Sequence, residues 1–145
     1  MENATKTVEI LLVEDNMGDI RLTKEALKEG NIPYHLNMVM DGAEAIKFLF
    51  KEGKYADVQR PDIILLDLNL PKKDGKEVLA KIKVDAGLKS IPVVVLTTST
   101  SEADIHKAYD LHANCYITKP VDFNQFIEVI KSIEEFWLTL VQLPS

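Results

Sequence analysis

The sequence has a single cysteine, Cys115, so no disulfide can close within the chain. A lone thiol suits a reducing compartment such as the cytoplasm. Long hydrophobic runs are missing as well. The opening "MENATKTVEILLVEDN" has no basic start and only four consecutive apolar residues, 10–13, which excludes a signal peptide or a membrane span there. Positive charge is in short supply, with 17 basic against 23 acidic residues and a net charge of −6, which disfavours electrostatic capture by nucleic acid. No repeat, low-complexity tract or Pro/Ser-rich linker interrupts the chain. The glycines stand as punctuation and form neither a dinucleotide nor a P-loop fingerprint. His35, His106 and His112 have no metal-ligand spacing. What is present, 46% hydrophobic and 28% charged residues in a chain of 145, describes a single globular domain over 1–145 with a real core.

Apolar runs alternate with helical patterns. "VEILLV" (8–13), "YHLNMVM" (34–40), "DIILL" (62–66), "IPVVVLT" (91–97) and "NCYIT" (114–118) read as strands. Helices are predicted over 19–28 with Gly30 as a stop, 42–53 ended by Gly53, 75–87 ended near Gly87, 102–112, and 122–140 with Asp122 as N-cap. The stretch "KEGKYADVQRP" (51–61) reads as a surface loop. Strict alternation with short connections implies a parallel sheet covered by helices on both faces. The continuous apolar runs agree, because strands buried on both sides need no polar alternation. Right-handed crossovers leave few topologies, and for five βα units the flavodoxin-like, doubly wound five-stranded sheet of order 2-1-3-4-5, with five helices, is the expected fold.

Such sheets bind ligands outside the carboxyl ends of their strands. Glu14 and Asp15 follow the first strand, Asp67 ends the third, Thr97 and Thr98 end the fourth, and Lys119-Pro120 follows the fifth. Each is ordinary taken alone: an acidic pair is usually solvated surface and a Lys-Pro pair usually a turn. Taken together they fall on one edge. Converging carboxylates repel unless a cation sits among them. The candidate ligands are all oxygens, from Glu14, Asp15, Asp67 and a backbone carbonyl near Asn69, which selects a hard cation such as Mg²⁺. A carboxylate flanked by Mg²⁺, the Lys119 ammonium and the Thr97 hydroxyl is suited to accept a phosphoryl group. On this reading Asp67 stands exposed at its strand end in order to be phosphorylated.

At these residues the sequence resembles the receiver domains of two-component response regulators. "LLVEDN" resembles their acidic-pair motif, "LLDLNLPKKDG" their phosphoacceptor loop, "VVVLTT" their switch-hydroxyl motif and "CYITKP" their lysine–proline motif. The resemblance spans essentially the whole chain. It implies Asp67 as phosphoacceptor, Glu14 and Asp15 holding Mg²⁺, and Asn69 giving its backbone carbonyl to the ion. It further implies Thr97 and Lys119 in contact with the phosphoryl group, Tyr116 as a rotating aromatic switch, and a cis peptide at Lys119–Pro120. The stretches "LDLNLPKKDGKEVLAKIK", "HANCYITKPVD" and "IEEFWLTLVQLP" are most similar to the small stand-alone regulators that partner bacterial phytochromes, which implies a phytochrome-type sensor histidine kinase as phosphodonor. Glu14 stands where an Asp is more frequent, and Thr98 is larger than the small residue usual after the switch threonine.

Two other functions fit the fold class. An aspartyl-phosphate phosphatase needs an acid/base carboxylate two residues after its nucleophile, where this chain has Asn69. A flavin carrier needs a first loop that cradles phosphate, and "EDNMGD" is anionic. The last helix carries one further expectation. A helix over 122–140 is about 28 Å long at 1.5 Å per residue, against roughly 17–20 Å for a strand. Its overshooting end, "FWLTLVQL", is its most apolar part, and Phe136, Trp137 and Leu140 lie in an apolar arc of roughly 200°. A surplus face of that kind suits a homodimer that packs the helix against its twin.

Overall fold

In a computed structural model of the protein, residues 7–28, 33–68, 75–97 and 115–118 are described, with backbone alone at 26, 97 and 115–118. Five strands, β1 (Val8–Val13), β2 (Tyr34–Val39), β3 (Ile63–Asp67), β4 (Val93–Thr97) and β5 (Cys115–Thr118), form one parallel sheet of order β2-β1-β3-β4-β5. The flavodoxin-like topology is the one the sequence predicts. Three α-helices are described: α1 (Met17–Lys28), α2 (Gly42–Leu49) and α3 (Gly75–Val84). The two later predicted helices lie outside the described residues.

The sheet is apolar because both faces are covered. Leu11, Val13, Ile64, Leu66, Val93 and Val95 pack in one cluster with Ile46 and Leu49 of α2 and Val78, Leu79 and Ile82 of α3. Their neighbours Ile10, Leu12, Ile63, Leu65, Val94 and Leu96 pack in a second cluster with Ile20 and Leu27 of α1. Successive strand side chains point to opposite faces, so an uninterrupted Ile-Ile-Leu-Leu feeds both cores. Each fully buried side chain of this size contributes about 1.5–3 kcal/mol.

Several boundaries differ from the sequence expectation. α1 starts at Met17 rather than at 19, because Asn16 caps it: its Oδ1 accepts the Asp19 N–H at 2.9 Å. α2 stops at Leu49, four residues before Gly53. Lys51 takes the left-handed conformation, φ 56°, that usually falls to glycine. The Glu52 N–H reaches Lys47 O at 2.9 Å and the Lys51 N–H reaches Phe48 O at 3.1 Å, the pair of bonds that closes a Schellman turn. A lysine held there costs about 1 kcal/mol relative to glycine. Lys51→Gly should therefore raise the melting temperature by roughly 3 °C, and a scanning calorimetry trace that is unchanged or shifted downward would contradict the assignment.

The 51–61 stretch is more than a loop. It contains a 3-10 turn, Gly53–Tyr55, and Tyr55 and Val58 pack against the first core cluster. The Tyr55 ring meets Phe48 at 5.3 Å between centroids, and its hydroxyl donates to Glu44 Oε1 at 2.6 Å. Lys47 and Lys54 both approach the same carboxylate at 3.6 Å. Burial, and then the bond to Glu44, push the Tyr55 phenol up to about 12. The same bond, with smaller help from the two lysines, holds the Glu44 carboxyl below its usual range. A phenol with a raised folded value stabilises the fold fully below its ordinary value near 10 and stops doing so as the pH climbs through about 12. The stability gap between the wild type and Tyr55→Phe should thus be constant up to about pH 9.5 and close between about 10 and 12. Paired thermal melts across that range check it, and a gap that persists to the top of it would contradict it.

Candidate functional site

At the carboxyl edge of the sheet, the Glu14 N–H continues the β1–β2 ladder one step past Val13, donating to Val39 O at 3.1 Å. That bond turns the Glu14 side chain inward, where it is only 1% exposed. Its Oε2 accepts the Asn16 N–H at 3.2 Å. Asn16 thus holds Glu14 with its backbone and caps α1 with its side chain. Asp15, between them, is exposed. Asp67 is the last residue of β3 and is 4% exposed. Here the structure corrects the sequence reading, which placed Asp67 exposed at the strand end. The strand end is itself enclosed, since Leu68, also buried, continues the β3–β4 ladder by donating to Leu96 O at 3.3 Å, and the start of α3 packs on the 67–68 backbone.

One carboxylate oxygen each from Glu14, Asp15 and Asp67 lie within 4.8 Å of one another. At such a spacing like charges near a protein surface repel by several kcal/mol before salt screening. An all-carboxylate set of this size fits a hard divalent cation and suits no soft metal. Residues from two separate strands are brought together here as the sequence order anticipated.

The other predicted residues divide in two. The backbone of Thr97 ends β4 at the same edge, paired in register with Thr118, and Tyr116 lies within β5 opposite Val95. Asn69, Thr98, Lys119, Pro120, Phe136, Trp137 and Leu140 lie outside the described residues. Two helix caps escaped the sequence reading. Asn16 was legible as Asn followed three residues later by Asp19, a capping signal. Asp41 is 8% exposed and caps α2, accepting the Glu44 N–H at 2.8 Å; it carries the same kind of signal.

Residues 10–131 match the model of the response regulator receiver domain. The chain belongs to the response regulator receiver family. Among curated relatives, this receiver is 52% identical over 136 residues to the response regulator Rcp1 of Synechocystis sp., covering 94% of the chain and 92% of the relative. It is 42% identical over 137 residues to the probable methanogenesis regulatory protein FilR2 of Methanothrix harundinacea, covering 94% and 87%. Among solved structures, the phosphorylated cyanobacterial phytochrome response regulator RcpA superposes with a TM-score of 0.87 at 57% identity, over 97% of this receiver and 100% of that chain. The Mn²⁺-bound form of Rcp1 gives 0.84 at 51% identity, over 95% and 99%. The receiver is therefore similar to phytochrome-associated regulators along nearly its whole length.

Proposed function

We propose that this protein is a stand-alone receiver that takes a phosphoryl group onto Asp67 from a sensor histidine kinase and signals by phosphorylation-dependent protein–protein contact. The observation that carries this is the meeting of the Glu14, Asp15 and Asp67 carboxylates within 4.8 Å at the carboxyl edge of the sheet. In the transfer, an Asp67 carboxylate oxygen attacks phosphorus in line. The P–O bond to Asp67 forms as the P–N bond to the donor histidine breaks, and the bonding pair returns to the imidazole. Glu14 and Asp15, with Asp67 itself and the Asn69 carbonyl, would hold Mg²⁺, which neutralises charge on the transferring oxygens. The Thr97 hydroxyl and the Lys119 ammonium would contact the remaining phosphoryl oxygens. Later attack by water on phosphorus returns Asp67 as free carboxylate and releases phosphate, so the protein is a slow self-dephosphorylating switch rather than a turnover enzyme. Asn69, two residues past Asp67, cannot transfer the protons that a phosphatase would need.

The likeness to a cyanobacterial phytochrome response regulator supports a phytochrome-type kinase as donor, and the likeness to the Mn²⁺-bound form of Rcp1 supports a divalent ion at the acidic edge. No helix among the described residues is long and apolar enough to cross a membrane. Incubation with acetyl phosphate and Mg²⁺ followed by intact mass should show one added phosphoryl group, lost on adding EDTA beforehand. No mass gain under any divalent ion would end this reading. The C-terminal helix would join two copies through Phe136, Trp137 and Leu140. Sedimentation equilibrium at tens of micromolar should give a dimer that Phe136→Glu shifts to monomer. A clean monomer mass for the wild type, phosphorylated or not, rules the dimer out.

A further inference from the structure

The first residue of α3 rests on the main chain that carries Asp67. The Gly75 N–H donates to Leu68 O at 3.2 Å. A Cβ placed on Gly75 would lie 2.5 Å from the carbonyl oxygen of Asp67, 2.5 Å from the Leu68 Cα and 3.1 Å from the Leu68 carbonyl carbon. All three are backbone atoms, so no rotamer change relieves the contact. Among the described residues, Gly53 is the glycine with positive φ; Gly75 has ordinary helical backbone. The requirement for glycine at 75 is therefore one of space and not of conformational freedom.

Neither side of the contact can yield cheaply. β3 is paired on both edges, to β1 and to β4, and Leu68 continues the ladder to Leu96. α3 is seated by Val78, Leu79 and Ile82, each fully buried. An alanine at 75 forces a movement of at least about half an ångström, shared between a packed helix and a central strand end. We propose that Gly75 is a positioning residue: its missing side chain lets α3 fix the main chain at Asp67 and Leu68, and through it the aim of the Asp67 carboxylate toward Glu14 and Asp15. The inference rests on the reading of Asp67 as phosphoacceptor and adds a residue of α3 to the geometry of that reaction.

The test compares Gly75→Ala with Ile82→Val, which loosens α3 about two turns further along the helix. Phosphorylation by acetyl phosphate is followed at saturating Mg²⁺ and at a temperature where circular dichroism shows both variants folded. Maximal rate and half-saturation are obtained separately. Misplacement of a reacting group by up to about 1 Å can cost roughly 100-fold, so Gly75→Ala should lose roughly 10–100-fold in maximal rate with half-saturation little changed. Ile82→Val should lower the melting temperature and leave the maximal rate alone. A wild-type maximal rate in Gly75→Ala, or rate losses in both variants proportional to their loss of melting temperature, overturns the proposal. If Gly75→Ala does not fold, the wild type decides by amide NMR. The Gly75 and Asp15 resonances should move with one midpoint during Mg²⁺ titration, and a stationary Gly75 overturns the coupling. If the wild type accepts no phosphoryl group at all, it is the reading of Asp67 that fails, and the amide titration still judges the link between Gly75 and the acidic edge.

Discussion

Asp67→Asn should abolish phosphorylation and, in the metal-free protein, raise the melting temperature. The two effects have separate causes. An amide has no anionic oxygen to attack phosphorus, so the added phosphoryl mass seen on the wild type with acetyl phosphate should fall to background. The same substitution removes one of three carboxylates whose oxygens lie within 4.8 Å, two of them on buried side chains. It is nearly isosteric, so it leaves no cavity. Relief of repulsion, discounted for screening at the exposed Asp15, should stabilise the metal-free fold by about 1 kcal/mol, or roughly 3–4 °C. Added Mg²⁺ should then stabilise the variant less than it does the wild type. Intact mass and paired melts with and without EDTA read both effects. Phosphorylation of Asp67→Asn at the wild-type rate would remove Asp67 from its assigned role.

Mg²⁺ affinity should fall further in Asp15→Ala than in Glu14→Ala. Asp15 has the shorter arm, is exposed, and sits where an ion arriving from solvent is met first. Glu14 is buried, and one of its oxygens already accepts the Asn16 N–H at 3.2 Å. That oxygen is oriented by the protein, which suits a ligand that acts through an intervening water. Loss of a supporting partner in a metal site typically costs 10–100-fold in affinity. Glu14→Ala should fall near the lower end of that range and Asp15→Ala at or beyond the upper end, about 100-fold. Isothermal titration of the two proteins with Mg²⁺ gives the order. Equal losses, or none, would refute it.

Much of this molecule is written in runs that admit one reading. "ILLV", "IILL" and "VVVL" cannot alternate between core and water, and once they are parallel strands their order and the shared edge of Glu14, Asp15 and Asp67 follow. What the sequence did not disclose lies where tertiary contacts override local preference. Gly53 looked like the end of α2, yet the helix stops at Leu49 because Lys51 accepts a left-handed backbone, and nothing in the residue type of a lysine announces that. The 51–61 stretch looked like plain loop because Tyr55 and Val58 stand singly among polar neighbours; only the fold shows them reaching Phe48 and the first core cluster. Asp67 looked exposed because carboxylates usually are. Its burial comes with the packing of β4 beside Leu68 and of the start of α3 on the 67–68 backbone, and spacing carries no trace of either. Gly75 was legible as a loop-ending glycine, but its contact with the 67–68 backbone is a distance that no pattern of residue types encodes.

Asn16 has a consequence for how the acidic edge and α1 behave as a thermodynamic pair. Its backbone N–H is spent on Glu14 and its side-chain oxygen on the Asp19 N–H at the start of α1. One residue thus belongs to both, and fraying of the first helical turn and release of Glu14 draw on the same conformational freedom. Whatever free energy an ion gains by finding Glu14 already in place must be returned as added resistance of that helical turn to opening, by the reciprocity that binds any two linked equilibria. The surface that α1 offers to other molecules is in this way made stiffer or looser by events at the carboxylates, with no atom needing to travel between the two.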